Sequence, residues 1–393
     1  MTEASAAAPA PLTRLQLALL SLTACLGVGN LYFLQPLLPA VGRAFAATPR
    51  AIGLMPMLTQ VGYGAGMFLF VPLGDVVARR RLMLVLLAAV AVALLGAASA
   101  RDLAGLGLAS FLVGFTTVVP HVAVPLAAHL APPAERGRVV GVMMGGILIG
   151  ILLARTASGV LGAHLGWRAV YVVAAALMLA LAMALRALLP ESEPDAEIPY
   201  PRLLRSLFTL LREEPVLREA SLLGALGFGA FSVFWSTLAF FLEGPPYHLG
   251  SQAAGLFGVL GAAGAAAAPV VGRLADRMSP RDNAGASLAL ALASFGLFAL
   301  LGRSLAGLVA GVLLMDVGVQ ANHVSNLARV HARRPEARSR MNTVYMVTYF
   351  AGGALGTALG TWAWTVWGWA GVCGAGAGLI AAAMAVWVVG RRG

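Results

Sequence analysis

Long apolar runs alternate with short polar turns along almost the whole chain. Crossing the hydrocarbon core of a bilayer takes about 20 apolar residues, and twelve runs qualify. In order, spans 1 to 6 are expected over 15–40, 51–73, 82–100, 104–129, 138–163 and 168–189. Spans 7 to 12 are expected over 220–242, 252–272, 284–302, 304–328, 341–363 and 367–390. The longest polar stretch, 190–219, separates the two sets. Its acids Glu191, Glu193, Asp195 and Glu197 precede Arg202, Arg205, Arg212 and Arg218, and Pro190, Pro194, Pro199 and Pro201 break its first part. Residues 202–214 fit an amphipathic helix lying on the membrane surface.

The second set echoes the first. Moving the chain along itself by 202 residues places His121 on His323, His129 on His331, Arg136 on Arg338 and Arg138 on Arg340. The same shift puts Gly150 on Gly352, Gly166 on Gly368 and Trp167 on Trp369. Two similar halves of six spans imply a parallel repeat about an axis along the membrane normal, with a central site between them. The pattern therefore predicts an all-α polytopic membrane protein of twelve transmembrane helices in two pseudo-symmetric six-helix bundles. A disordered tail is expected over 1–14, the bundles over 15–189 and 220–393, the latter with a short cytoplasmic tail. Residues 190–219 form the cytoplasmic linker. Glycines four apart, such as Gly146 with Gly150 and Gly352 with Gly356, let spans approach closely.

Composition agrees with the pattern. Only 11% of the 393 residues are charged, against roughly 25% in soluble domains, and the mean hydropathy is +0.85. A net charge of +11 is spread over short loops rather than gathered on one face, which argues against nucleic acid as a partner. All 27 basic residues are arginine. With the N-terminus inside, the outer loops hold Arg43, Arg50, Arg101, Arg168 and Arg303, Arg155 lies within span 5, and every other arginine faces inward. That bias sets both termini in the cytoplasm. Cys25 and Cys373 sit inside apolar runs and make neither a disulfide framework nor a metal-ligand cluster. No metal or cofactor site is read, and no enzyme constellation appears.

The polar turns carry a motif. Between spans 2 and 3 runs Val71-Pro72-Leu73-Gly74-Asp75-Val76-Val77-Ala78-Arg79-Arg80-Arg81, and between spans 8 and 9 runs Gly272-Arg273-Leu274-Ala275-Asp276-Arg277-Met278-Ser279-Pro280-Arg281. A carboxylate among guanidiniums pairs with them and with the positive end of the next helix, so both turns are read as structural latches. The pattern resembles the loop signature of the major facilitator superfamily, G-x-x-x-D-R/K-x-G-R/K-R/K. The second copy keeps Gly272, Asp276, Arg277 and Arg281; the first keeps Asp75, Arg79 and Arg80, with Val71, Val76 and Ala78 in place of the other positions. The run Asn30-x-Tyr32-x-x-Gln35-Pro36-Leu37-Leu38-Pro39, together with Arg155-Thr156, Gly166-Trp167-Arg168 and the Arg338–Thr343 run, is similar to bacterial efflux members, the drug:proton antiporter-like branch.

Four ionisable groups fall well inside spans: His121, Arg155, Asp316 and His323. Burying such groups is costly, so they are expected to face a watered cavity or one another. Asp316 is the sole deep acid and the first candidate for carrying a proton; His323, two turns along the same helix, is the second. Arg155 has two open readings, an anion site or a permanent counter-ion joining span 5 to a neighbour. Asn30, Tyr32, Gln35, His121, Gln320 and Asn322 complete the candidate substrate cavity, although a lone histidine such as His121 also serves to satisfy a backbone carbonyl. Pro36 and Pro39 are expected to kink span 1 near its outer end.

The resemblance and the residues together imply a monomeric secondary transporter that moves a small organic molecule by alternating access. Proton-coupled efflux of a drug-like or metabolite substrate is the leading expectation. A facilitator or importer of a small organic anion or sugar, with Arg155 as the anion site, is the alternative. A membrane sensor or assembly partner is the alternative of another class.

Overall fold

The computed structural model describes residues 12–191, 199–260, 279–334 and 337–390. Helices and short turns make up these residues, with no strand among them. Lipid explains this: a backbone without water must satisfy its own polar groups, and a helix does so locally. Span 1 comprises Arg14–Gly29 and, after a break, Leu38–Ala44; span 2 is Pro49–Val76 and span 3 Arg79–Ser99. Span 4 comprises Leu103–Thr116 and Val119–Leu130, span 5 is Arg136–Leu165 and span 6 Trp167–Leu188. In the second set, span 7 is Pro215–Glu243, span 9 Pro280–Leu301 and span 10 Leu305–His331, while Ser251–Leu260 begins span 8. The single helical run Arg338–Val389 is two spans, 11 and 12, joined at Gly368. The described residues agree with the all-α polytopic arrangement expected from the sequence.

Local chemistry sets the ends of these elements. Thr13 and Gln16 form a capping box at the start of span 1. Thr48, Asp102 and Ser304 accept the first free backbone N–H groups of spans 2, 4 and 10. The turns between spans 5 and 6 and between spans 11 and 12 rest on Gly166 (φ 82°) and Gly368 (φ 58°). Side chains other than glycine are strained there, so the repeat sets a glycine of positive φ at the equivalent turn in both halves. Span 1 breaks earlier than its prolines suggest. The helix stops at Gly29, short turns run through Asn30–Leu34, and Pro36 and Pro39 then sit at the starts of the next two short helices.

Packing follows the small residues. A Cβ at Gly150 would run into the backbone of Cys25, bringing span 5 against span 1; the equivalent Gly352 meets Ala225, bringing span 11 against span 7. Spans 2 and 4, spans 3 and 6, and spans 9 and 12 also pack as pairs. The helix Tyr200–Glu213 buries Leu203, Leu207 and Leu210 and lies against spans 2, 7 and 11, as its amphipathic pattern requires. Tyr200 donates its hydroxyl to Leu69 O at 2.8 Å, and burial there holds that phenol above its usual range.

Direct links between the two sets cluster from the middle of the molecule to the face opposite the arginine-rich one. Arg43 pairs with Glu243 across spans 1 and 7. Gln60 donates to Thr357 Oγ1 at 3.3 Å, and Tyr63 packs edge-on against Phe350 with centroids 4.5 Å apart. Thr156 donates to Gly255 O at 3.0 Å. That last bond depends on glycine: a Cβ at Gly255 would collide with Arg155 O, so only glycine lets span 8 come this close to span 5.

Candidate functional site

Among the described residues Arg155 is the largest fully buried side chain, with 1% of its surface exposed. A buried guanidinium needs acceptors or aromatic faces. Its Nε donates to Gln35 Oε1 of span 1 at 2.8 Å. Its Cζ lies 4.5 Å from the ring centroid of Tyr32 and 4.1 Å from that of Trp235, with Phe231 at 5.7 Å. Nη2 has no hydrogen-bond partner. Gln35, Pro36, Arg155, Trp235, Leu238, Ala239 and Ala254 line a void of about 10 Å³, which is the space of one water at most.

Asp316 approaches from span 10 of the other set. It is 4% exposed, and neither Oδ1 nor Oδ2 has a hydrogen-bond partner. It lies within electrostatic reach of Arg155 without forming a direct ion pair. Trp235 Nε1 faces the carboxylate outside hydrogen-bond geometry and is itself unpartnered. Each unmet buried polar atom costs about 1–3 kcal/mol. A cation, an acid and an indole N–H therefore share one dry locus, each with spare bonding capacity.

The other expected residues divide. Tyr32 and Gln35 join Arg155. His323 is half-buried, its Nδ1 3.0 Å from Tyr345 Oη, and its ring lies 4.7 Å from Tyr349. His121 packs against Tyr63 with centroids 5.7 Å apart and is close enough to His323 to interact electrostatically. Gln320 is half-buried between Asp316 and His323 on span 10. Asn30 and Asn322 are not brought to this locus. Asn30 Nδ2 donates to Thr117 Oγ1 at 3.4 Å and meets Met178 Sδ at 3.5 Å, inside the first bundle. Asn322 Nδ2 donates to Leu223 O at 3.1 Å, tying span 10 to span 7. Both Nδ2 groups bond neighbouring spans, while Asn30 Oδ1 keeps no hydrogen-bond partner.

Sequence reasoning missed Trp235, Phe231 and their neighbour Phe228. The signal was available: positions 228, 231 and 235 recur at helical spacing and fall on one face of span 7. Phe228 stacks on Tyr349 at 4.2 Å and meets Phe350 at 5.2 Å, extending an aromatic lining from Arg155 toward His323.

At the first polar turn Asp75 receives Arg79 Nη2 at 3.2 Å, and Arg79 Nε donates to Gly74 O. Arg80 donates to Arg186 O at 2.6 Å and lies 3.6 Å from Glu191. Gly272, Asp276 and Arg277 of the second turn lie outside the described residues. Arg281, which is described, pairs with Glu219 of span 7 at 2.8 Å, and Glu219 also binds Arg329. Glu219 was not anticipated as the acid that holds this corner.

The family model described as Major Facilitator Superfamily matches residues 19–327. This chain belongs to that superfamily. The uncharacterized transporter YgaY of Escherichia coli is 40% identical over 369 residues, covering 94% of each chain. A Streptomyces coelicolor protein named as a probable transporter is 38% identical over 93% of this chain and 86% of its own. Among solved structures, the peptide transporter POT in complex with alafosfalin superposes with a TM-score of 0.77 at 14% identity, covering 98% and 96% of the two chains. The nucleoside transporter NupG gives 0.75 at 17% identity over 95% and 98%. At those identities the likeness shows the shared fold. The chain is thus a multi-pass membrane protein of a transporter superfamily, whose members bind small molecules within the membrane.

Proposed function

We propose that this superfamily member is a proton-coupled exporter of a small organic molecule. It works by alternating access, as a monomer in a bacterial inner membrane with both termini in the cytoplasm. The bundles 15–189 and 220–390 rock about the site between them, with 190–219 as the linker. The observation that carries this reading is the burial of Arg155 and Asp316 near each other with no direct bond between them. They come from different bundles, are buried, sense each other's charge, and keep unpartnered atoms. Substrate export against a gradient needs a group whose charge changes with occupancy, and Asp316 is the acid in position to do so. Arg155 holds the carboxylate's counter-charge when Asp316 is ionised and turns to the substrate when Asp316 is protonated. His323, hydrogen-bonded to Tyr345, is the second group able to relay a proton.

The links at the Arg43–Glu243 face support a state closed outward and entered from the arginine-rich side. The Asp75–Arg79 pair is already formed in this state, and Asp75 completes the latch by meeting a neighbouring helix end when the inner face closes. Accumulation of a labelled compound panel in inverted vesicles, with and without a proton gradient, tests the reading. Gradient-dependent accumulation of at least one compound is expected. Equal uptake with the gradient collapsed overturns proton coupling. One observation favours a second reading, transport of an organic anion without coupling: Arg155 Nη2 is free to receive it. In that case the same panel gives uptake of anions that is indifferent to the gradient.

A further inference from the structure

Three buried groups meet where the bundles face each other, and their spare atoms differ in kind. Arg155 Nη2 and Trp235 Nε1 are donors without acceptors; Asp316 Oδ1 and Oδ2 are acceptors without donors. Arg155 and Trp235 are in contact, 4.1 Å from Cζ to ring centroid, and Asp316 lies near both without bonding either. A ligand carrying one positive charge satisfies the carboxylate and leaves Arg155 facing a like charge in a dry site. A ligand carrying one negative charge does the reverse. A neutral ligand separates the two protein charges further and compensates neither.

The free edge of the guanidinium limits the anion. Its Nε is taken by Gln35, and the rings of Tyr32 and Trp235 lie against it. What remains suits one planar oxyanion lying in the guanidinium plane, with the indole N–H as a second donor. A tetrahedral dianion brings a second charge for which the described residues at this locus supply no second cation. Opposite it, a carboxylate with two open oxygens suits a multiply protonated nitrogen.

We propose that the site takes a small zwitterion of the amino-acid class, its carboxylate on Arg155 Nη2 and Trp235 Nε1 and its ammonium on Asp316. This rests on the reading of Arg155 and Asp316 as the transport site. The ligand is small because the void beside Arg155 and Trp235 is only about 10 Å³ in this closed state and has to widen as the bundles part. Its body lies along the aromatic surface of Tyr32, Phe231 and Trp235, which favours an apolar side chain.

Thermal unfolding of the full-length protein in detergent tests this with matched charge forms. The probes are glycine, L-leucine, L-phenylalanine and L-glutamine, each beside its methyl ester (a cation) and its N-acetyl derivative (an anion). Saturable stabilisation by at least one amino acid is expected, with its ester and acetyl forms needing at least tenfold higher concentration for the same shift. Arg155→Gln is expected to make that amino acid and its ester equivalent, and Asp316→Asn to make it and its acetyl form equivalent. A merely structural role for either residue would lower the melting temperature without changing the order of the probes. The proposal is overturned if an ester or acetyl form binds as tightly as its parent, or if no amino acid of the panel stabilises the wild-type protein. An ester that binds alone and is lost in Asp316→Asn removes the zwitterion while leaving Asp316 as the functional acid. Probes that bind equally well to wild type and Asp316→Asn remove the reading of Asp316 itself.

Discussion

Glu219→Ala is expected to loosen the arginine-rich corner of the second bundle. Glu219 Oε1 accepts from Arg281 Nε at 3.1 Å and Nη2 at 2.8 Å, while Oε2 accepts from Arg329 Nη2. The three side chains are little exposed, at 16%, 24% and 9%, so solvent screens them weakly. Removing one partner of such a network costs about 3–5 kcal/mol. Both arginines keep a second acceptor, Arg329 at Asn326 Oδ1 and Arg281 at Trp387 O, which places the cost near 3 kcal/mol. Cys373 on span 12 is buried in the same bundle and gives a native reporter. In a Cys25→Ser background, a thiol-reactive dye followed on heating should show Glu219→Ala melting roughly 5 °C below the parent. Glu219→Gln, which keeps one acceptor, should lie between. Glu135→Ala removes an exposed pair with Arg138 and should leave the melting temperature unchanged. A Glu219→Ala protein that melts within about 1 °C of its parent would refute the reasoning, because a loss near 3 kcal/mol has to appear in that signal.

Three further outcomes follow from the same structure. Cysteines at Arg43 and Glu243, cross-linked by a short bis-maleimide, should stop transport by tying the outer ends of spans 1 and 7; full flux in fully cross-linked protein removes the rocking motion. Asp75→Asn should shift the resting population toward the inward-open state with expression intact, read as faster labelling of cysteines placed along the inner cavity; an unchanged rate removes the latch. Gly368→Ala should cost about 1–3 kcal/mol through its positive φ with extended ψ, whereas Gly374→Ala, at an open helical position, should stabilise by up to about 1 kcal/mol; equal melting temperatures for the two would contradict the strain argument.

What the sequence disclosed was whatever is written in periodicity or in rare residues. Twelve apolar runs gave the spans, and the repeat placed Gly166 and Gly368 at equivalent turns before their shared φ was seen. Arg155 and Asp316 stood out because charge inside an apolar run is costly and so is seldom there without a purpose. Tyr32 and Gln35 stood out as polar members of the N-x-Y-x-x-Q-P run in span 1, and the structure sets them on Arg155. Asn30 and Asn322 show where this reasoning stops. An amide in a span must bond something, and sequence does not say whether that is a neighbouring span or a ligand; both bond within their own bundle. Trp235 and Phe231 were hidden for a different reason, since aromatic residues on a span suit lipid, core and cavity alike. Glu219 was passed over because it stands at the polar start of span 7, where an acid reads as loop. The break in span 1 was placed at Pro36 and Pro39, but the helix already ends at Gly29, where glycine leaves it least supported.

Asp316→Asn, reconstituted beside wild type in proteoliposomes, tests the central claim that Asp316 carries the coupled proton opposite Arg155. The substrate is the compound identified in the inverted-vesicle panel, and two fluxes are measured, uphill movement driven by a pH gradient and downhill exchange without one. The amide keeps the shape of the acid and cannot titrate. Loss of uphill transport with downhill exchange retained is the predicted result. A variant that still concentrates substrate against its gradient, at the rate of wild type, would contradict it.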